Sequence, residues 1–424
     1  MKQEVCGKCR PFFEDLLKEI EQFKKRVEEL EGKIKEKSKP HFIKDPIETR
    51  SKKTGQKKGH EGISRKTPET IDKIIEYQLT ECPECGGHNL SDVQEERERV
   101  ITDIPEQRAI NILITLERRY CKDCKKMAEP KIEEALPNAR FGLRLMLLVL
   151  IMKLDSRIPS NKITSLLEML YNVKISDGEV YVILEQLSKA FGSYYDELVK
   201  KIKEALVKNV DETSWRTNGK NRWLWIFINK ELALFLVRVK RSSEVPKVFL
   251  GNQEGKTTVN DRLEAYSQLA KDSGSVQQIC WTHLLRNSKD LAEHYKEAKY
   301  IHKRMKFIYK KAKEGGEKEK LLNWIDLIGA KVYNSHEVFK FVKAICRKHR
   351  EDLFRFVDNP EVDSTNNRAE RGLRQAVVIR KISNGSRSEK GADTTAKLLS
   401  IMQTVKMNYS NPMDAMIGLL QNGK

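Results

Sequence analysis

No apolar stretch in the 424 residues is long enough to cross a membrane as a helix. The most apolar run, "LRLMLLVLIMKL" (143–154), is about half of what a span requires and reads as a buried core helix. The first residues, "MKQEVCGKCRPFF", hold no apolar signal-peptide core, so a soluble cytoplasmic protein with no membrane partner is expected. Acids are in short supply: 61 Asp and Glu face 80 Lys and Arg, a formal charge of +19 with a pI near 9.4. That balance argues against an acidic small molecule and for a polyanion, most simply nucleic acid. Of the eight cysteines, six fall in three C-x-x-C pairs, a pattern that in a reducing compartment points to metal ligands and not to disulfides.

The chain reads as a string of modules. Phe13, Leu16, Ile20, Phe23, Val27, Leu30 and Ile34 alternate spacings of three and four, a heptad seam that predicts a dimerising coiled coil over 1–36. The alternative is an amphipathic helix folded onto its own body. Residues 37–75 lose periodicity and gain Lys, Gly and Ser, as a basic linker that follows phosphates does. Within 76–130, Cys82, Cys85, Cys121 and Cys124 have the pattern of a zinc ribbon holding one Zn²⁺. The gap between the two pairs requires a hairpin from "RAINILITLERRY" to bring them together. Cys6 and Cys9 remain a lone pair, either completing a second site across a dimer or staying unliganded. Residues 138–204 read as all helix: Ser160 can start one helix, and Ser176 with Glu179 forms a capping box for the next, with Ile175 and Val180 at staple positions. Two short helices joined this way suggest a helix-turn-helix, with bundle packing as the alternative.

After residue 205 the period becomes that of strands. In "NVDETSWRTNGKNRWLWIFIN", Asn218-Gly219 is a tight-hairpin signal, and Trp223 to Ile228 is apolar on both faces, like a covered interior strand. Asp211 then sits where the first strand should end. Three antiparallel strands, then alternating helix and strand up to "VQQICW", give the layout of an RNase H-like α/β core over 205–284, with a mixed five-stranded sheet. In that layout the first and fourth strands are neighbours, so Asp211 and Asp261 face each other across one edge, and two adjacent carboxylates signal a Mg²⁺ site. A helical insertion (285–360) precedes a segment (361–424) read as a C-terminal catalytic helix and basic tail. There Asp363 or Ser364 can cap a helix that carries Asn367, Glu370, Arg371 and Arg374 on one face.

The blocks "VDETSWRTNGKNRWLWIF", "QICWTHLLRN" and "STNNRAERGLRQAVVIRKISNGSRSEKGADTTAKLLS" resemble the signatures of DDE transposases in the bacterial and archaeal insertion-sequence family numbered sixty-six. The preceding coiled coil, basic "KKTGQKKGHEGISR" stretch and cysteine-pair finger are similar too. The resemblance implies a catalytic triad of Asp211, Asp261 and Glu370 holding two Mg²⁺ (or Mn²⁺) ions per active site. It also implies transposon-end and target DNA as partners, a homodimer, and nucleoid association. Arg371, Arg374, Arg380, Lys381 and Arg387 are expected at phosphates. Cys280 and His283 form a C-x-x-H that brings His283 toward the site. The family's glycine-aromatic step after the second aspartate is missing from "DRLEAY", which leaves Asp272 as a rival to Asp261. Two other functions share parts of this pattern: a non-transposing RNase H-like nuclease, and an inactive DNA-binding regulator.

Overall fold

The computed structural model describes residues 21–22, 24–26, 68–261 and 264–422. All seven residues of the expected coiled-coil seam, the linker to residue 67, and Cys6 and Cys9 lie outside the described residues. The chain divides into two units, Met1–Asp103 and Ile104–Lys424. In the first unit, the Cys82 turn closes through the Gly86 amide donating to the Cys82 carbonyl (2.8 Å) and the Cys82 amide donating to the Gly87 carbonyl (2.9 Å). In the second, two short antiparallel strands, β1 (Arg119–Cys121) and β2 (Lys126–Ala128), flank the Cys121–Cys124 turn. The expected hairpin from "RAINILITLERRY" is thereby corrected: among the described residues 68–118 no strand forms, and pairing begins only at Arg119.

A helical run follows: α1 (Leu143–Leu150), continued by a π-helical stretch (Ile151–Asp155), then α2 (Ser160–Tyr171), α3 (Asp177–Ala190) and α4 (Gly192–Glu204). Ser160 is the first residue of α2, and Pro159 occupies its N-cap. Ser176 caps α3 by accepting the Glu179 amide (3.2 Å), and Asn172 ends α2 in the left-handed conformation (φ 53°).

The sheet strands are β3 (Val207–Thr217), β4 (Lys220–Ile228), β5 (Ala233–Arg238), β6 (Thr257–Asn260) and β7 (Val276–Ile279), with α5 (Glu244–Leu250) and α6 (Glu264–Ser273) between the later ones. Their order is β5-β4-β3-β6-β7, antiparallel from β5 to β3 and parallel from β3 to β7. Asn218 and Gly219 take positive φ (48° and 72°), as the β3–β4 hairpin requires. Asp211 proves to be mid-strand: β3 runs on to Thr217, and what ends near Asp211 is its parallel partner β6.

Helices cover both faces of β4 from Trp223 onward, which is why its sequence is apolar from there to Ile228. Trp225 and Phe227 meet Tyr266 of α6 and Phe249 of α5 on one face. Ile226 and Ile228 lie on the other, beneath Gly372 of the helix described next. After β7 come α7 (Trp281–His294), α8 (Ala298–Lys313), α9 (Lys318–Gly329), α10 (His336–Lys343) and the short α11 (Arg355–Asp358), which build a separate apolar core around Ile301, Ile325 and Phe354. The chain then returns to the sheet through α12 (Asn367–Ser383), α13 (Glu389–Asn408) and α14 (Pro412–Asn422). The expected basic tail is therefore core: Leu398, Ile401, Met402 and Val405 are buried in one apolar cluster with the sheet and α1–α4. No described helix is long and apolar enough to cross a membrane.

The loop between α12 and α13 locks the far end of β3. Ser386 donates its amide to the Arg216 carbonyl (2.8 Å) and accepts the Asn218 amide (2.9 Å) and the Trp215 indole N–H (3.2 Å). Gly385, at φ 103°, makes this approach feasible, since a Cβ there would lie 2.1 Å from the Arg216 carbonyl oxygen. Gly385→Ala should therefore lower stability by about 2–4 kcal/mol. Urea denaturation with an unshifted midpoint would show that the loop is dispensable.

Candidate active site

Alternation along β3 sends neighbouring acids to opposite faces. Asp211 pairs across the ladder with Ile226 and so faces α12, whereas Glu212 pairs with Trp225 and faces α6. The parallel register sets Asn209 beside Val259, so two residues on, Asp211 and Asp261 stand level at the end of β6. Glu370 occupies the first turn of α12, on the same side as Asp211. The electrostatics report the convergence. Burial first, then the charge of Glu212, pushes the Asp211 carboxyl up to about 7, with Asp261 and Glu370 adding to it. The Glu212 amide, 2.9 Å from Oδ1, works in the opposite direction.

On the α6 face, Glu212 is buried and held from two sides. Arg241 Nε lies 2.7 Å from Oε1, and the Tyr266 hydroxyl donates to Oε2. Burial, followed by the Glu212 charge, keeps the Tyr266 phenol well above its ordinary value, so it stays a donor. Arg241 is thus committed to Glu212. Among the described residues no cationic side chain pairs with Asp211.

Asn366, fully buried at the N-cap of α12, ties this helix to the sheet. Its side chain donates to the Val210 carbonyl (2.9 Å), and its amide donates to Cys280 Sγ (3.1 Å). Cys280 follows β7, and His283 lies within the first turn of α7, with Nδ1 3.7 Å from Glu370 Oε1. Burial pushes the Cys280 thiol up, but hydrogen bonds from His283 and the Asn366 amide outweigh it, and the thiol lies below its usual value. The hydrogen bond with Cys280, opposed by burial, raises the His283 imidazole. The ligand atoms of Cys280, His283 and Glu370 all lie within 4.8 Å of one another.

These residues fit a hard divalent cation. Glu370 Oε1 is buried and accepts no hydrogen bond among the described residues, and the Asp211 carboxyl is raised by burial and by the like charges around it. Oxygen donors in that condition are suited to Mg²⁺ or Mn²⁺.

The other sequence candidates separate. Asp272, at the end of α6, is held by Lys247 (3.1 Å) and Gln268 (2.8 Å), and its charge is not among those acting on Asp211. Neither Asp363 nor Ser364 caps the glutamate helix. Asp363 pairs with Arg368 (2.7 Å), Ser364 meets the Tyr309 hydroxyl (3.0 Å), and α12 starts after Asn366. Arg371, Arg374, Lys381 and Arg387 are exposed. Arg380 instead donates to the Ser214 carbonyl of β3 (2.8 Å) and to its hydroxyl. Backbone amides of Glu84 and Cys85 lower the Cys82 thiol, and those of Cys124 and Asp123, with the Cys124 side chain, lower the Cys121 thiol. The two cysteine turns belong to different units. Sequence reading missed Glu212, Arg241, Tyr266 and Asn366. The "DET" doublet of acids was the available signal for Glu212, and nothing marked Arg241, 29 residues away.

Because the folded Asp211 carboxyl titrates about 7 against 3.8 for the free group, the unfolded chain releases its proton first. Stability from this group is intact below pH ~4, declines as pH rises, and is lost above pH ~7, at a cost of up to about 4 kcal/mol. Asp211→Asn should remove that cost, so Mg²⁺-free protein melted at pH 8 should gain stability over wild type, with little difference at pH 4. Equal melting of the two proteins at pH 8 would contradict the assignment of a strained charge.

Residues 138–394, more than half of the chain, match the family model described as Transposase IS66 family. Residues 80–125 match the zinc-finger binding domain of transposase IS66. The chain is also similar to the uncharacterized protein y4hP of Sinorhizobium fredii (strain NBRC 101917 / NGR234), at 21% identity over 402 residues, covering 82% of this chain and 72% of the relative. With a mixed sheet that brings an acid from β3, an acid beyond β6 and an acid on a returning helix to one edge, and with that match, the chain belongs to the transposase IS66 family.

Proposed function

We propose that this protein is a DNA transposase that binds the inverted-repeat ends of its element and catalyses strand cleavage and strand transfer from an RNase H-like core. The observation that carries the reading is Asp211 on β3 standing level with Asp261 just past the neighbouring parallel strand β6, with Glu370 acting on the same carboxyl. Asp211, Asp261 and Glu370 are the residues that would hold two Mg²⁺ or Mn²⁺ ions. When bound, such ions activate the attacking oxygen and stabilise the leaving oxygen of an in-line displacement at phosphorus. The chain's own part is to fix those donors. β3 is stiffened by neighbours on both sides, and Asn366 sets the height of the Glu370 helix above it. Arg371 and Arg374, exposed one and four residues beyond Glu370, offer guanidinium groups to flanking phosphates, with Lys381 and Arg387 further along.

Around this core, Cys82, Cys85, Cys121 and Cys124 bind one zinc per chain, α2 and α3 serve as a helix-turn-helix, and the seam over 1–36 makes a homodimer that holds two DNA ends together. Thiols lowered by backbone amides support the zinc reading, because the thiolate is the metal ligand.

Asp211→Asn, Asp261→Asn and Glu370→Gln should each reduce Mg²⁺-dependent cleavage of end-bearing DNA by at least roughly a hundredfold, while end binding stays within several-fold. Full activity of Asp261→Asn would remove Asp261 from the site, and inactivity of all three together with lost end binding would favour a merely structural role. Elemental analysis after purification without chelator should give about one zinc per chain, falling to near zero in Cys82→Ser. Zinc-free wild-type protein would end the ribbon assignment.

A further inference from the structure

Helix α8 is cationic along its whole length. Its sequence, AKYIHKRMKFIYKKAK, contains seven Lys and Arg and no acid. Lys299, Lys303, Lys306, Lys310 and Lys313 are spaced four, three, four and three apart, so they form one exposed stripe. It lies opposite Ile301, Met305, Ile308 and Ala312, which are buried in the insertion core. At ~1.5 Å per residue the stripe extends ~21 Å. A solvated surface helix ordinarily intersperses both signs, yet the acid that serves this one, Glu314, lies past its end. Glu314 is 2.8 Å from Lys311 and 3.7 Å from Lys310. Among the described residues Lys299, Lys303 and Lys306 have no ion-pair partner. The neighbouring α7 carries Lys289, which is paired with Glu293 (3.5 Å). Burial first, then the charges of Lys306 and Lys289, hold His302 below its ordinary value. Phe307, 41% exposed and packed on Trp324, gives the stripe an apolar flank.

The stripe is rigidly joined to the catalytic edge. Tyr309, on the other flank, stacks on Trp281 at 5.1 Å, and Trp281 directly follows Cys280. The Tyr309 hydroxyl also meets Ser364 Oγ (3.0 Å) in the loop that leads into the Glu370 helix. A cationic edge so anchored, with lysines and not bidentate arginines, suits a continuous phosphate chain better than a single anion.

We propose that α8 of the helical insertion is a DNA-binding surface, whose lysine stripe follows the phosphate backbone of the duplex flanking the cleavage site. The proposal rests on the transposase reading and adds to it a contact surface separate from the ribbon, the helix-turn-helix and the arginines of α12.

The test uses full-length protein and a short duplex of arbitrary sequence, with affinity measured against salt concentration. Changing Lys299, Lys303, Lys306 and Lys310 together to Gln removes exposed charge without touching the core. If all four meet phosphates, the slope of log affinity against log salt should fall by about 3–4, since each contact contributes ~0.9. A matched variant with Lys201, Lys230, Lys240 and Lys247 changed to Gln, each exposed and already facing a carboxylate, should lose less than half as much slope. A stripe variant whose slope stays within one unit of wild type, with unchanged circular dichroism, overturns the proposal and leaves the transposase reading intact. Equal losses in both variants overturn it as well, since overall charge would then carry the binding. Wild-type protein without salt-dependent duplex binding overturns both readings.

Discussion

Asn366 is the residue on which the geometry of the acid-bearing edge turns. It is fully buried, and every polar group it has is engaged: its amide with Cys280 Sγ, its carboxamide with the Val210 carbonyl and with Asn209, and its carbonyl with the Glu370 amide. One residue therefore fastens the middle of β3 through its side chain, and the end of β7 and the first turn of α12 through its backbone. Leaving any of these buried groups unpaired costs on the order of 1–3 kcal/mol, so the three elements have little freedom to drift apart. The distance from Asp211 to Glu370, acids separated by most of the core sequence, is fixed by this short-range bonding and not by the length of the insertion between them.

Strand alternation divides the labour on β3. Even-numbered Glu212 turns toward α6 and satisfies its charge with Arg241 and Tyr266. Odd-numbered Asp211 turns toward α12 and is left with like charges for neighbours. A fully compensated carboxylate stiffens the strand, and the uncompensated one beside it keeps an appetite for cations.

Much of this was legible in the chain. Asn218-Gly219 announced the hairpin, Ser176 announced a helix start, and the two-sided apolar pattern of Trp223–Ile228 announced a strand covered on both faces. Local rules of backbone and period suffice for such features. What stayed hidden depends on tertiary contact. The start of α12 is set by Asn366 reaching three elements, so local capping preference for Asp363 or Ser364 misplaced it. Asp211 looked like a strand end because the charge interrupts an apolar run, whereas β3 continues past it, paired with β4 after β6 has ended. Polar C-terminal composition suggested a tail, and small residues on α13 conceal a face that packs flush on the sheet.

That last helix also closes the sheet. β5 is an edge strand, and α13 answers its outward backbone: Ser400 Oγ accepts the Phe235 amide (2.8 Å), while Thr404 Oγ1 accepts the Ala233 amide (3.1 Å) and donates to its carbonyl (3.2 Å). Two hydroxyls thus take the place of a sixth strand. A chain ending between β5 and Ser400 would keep that edge but lose its cover, leaving an apolar strand open to pairing with its like.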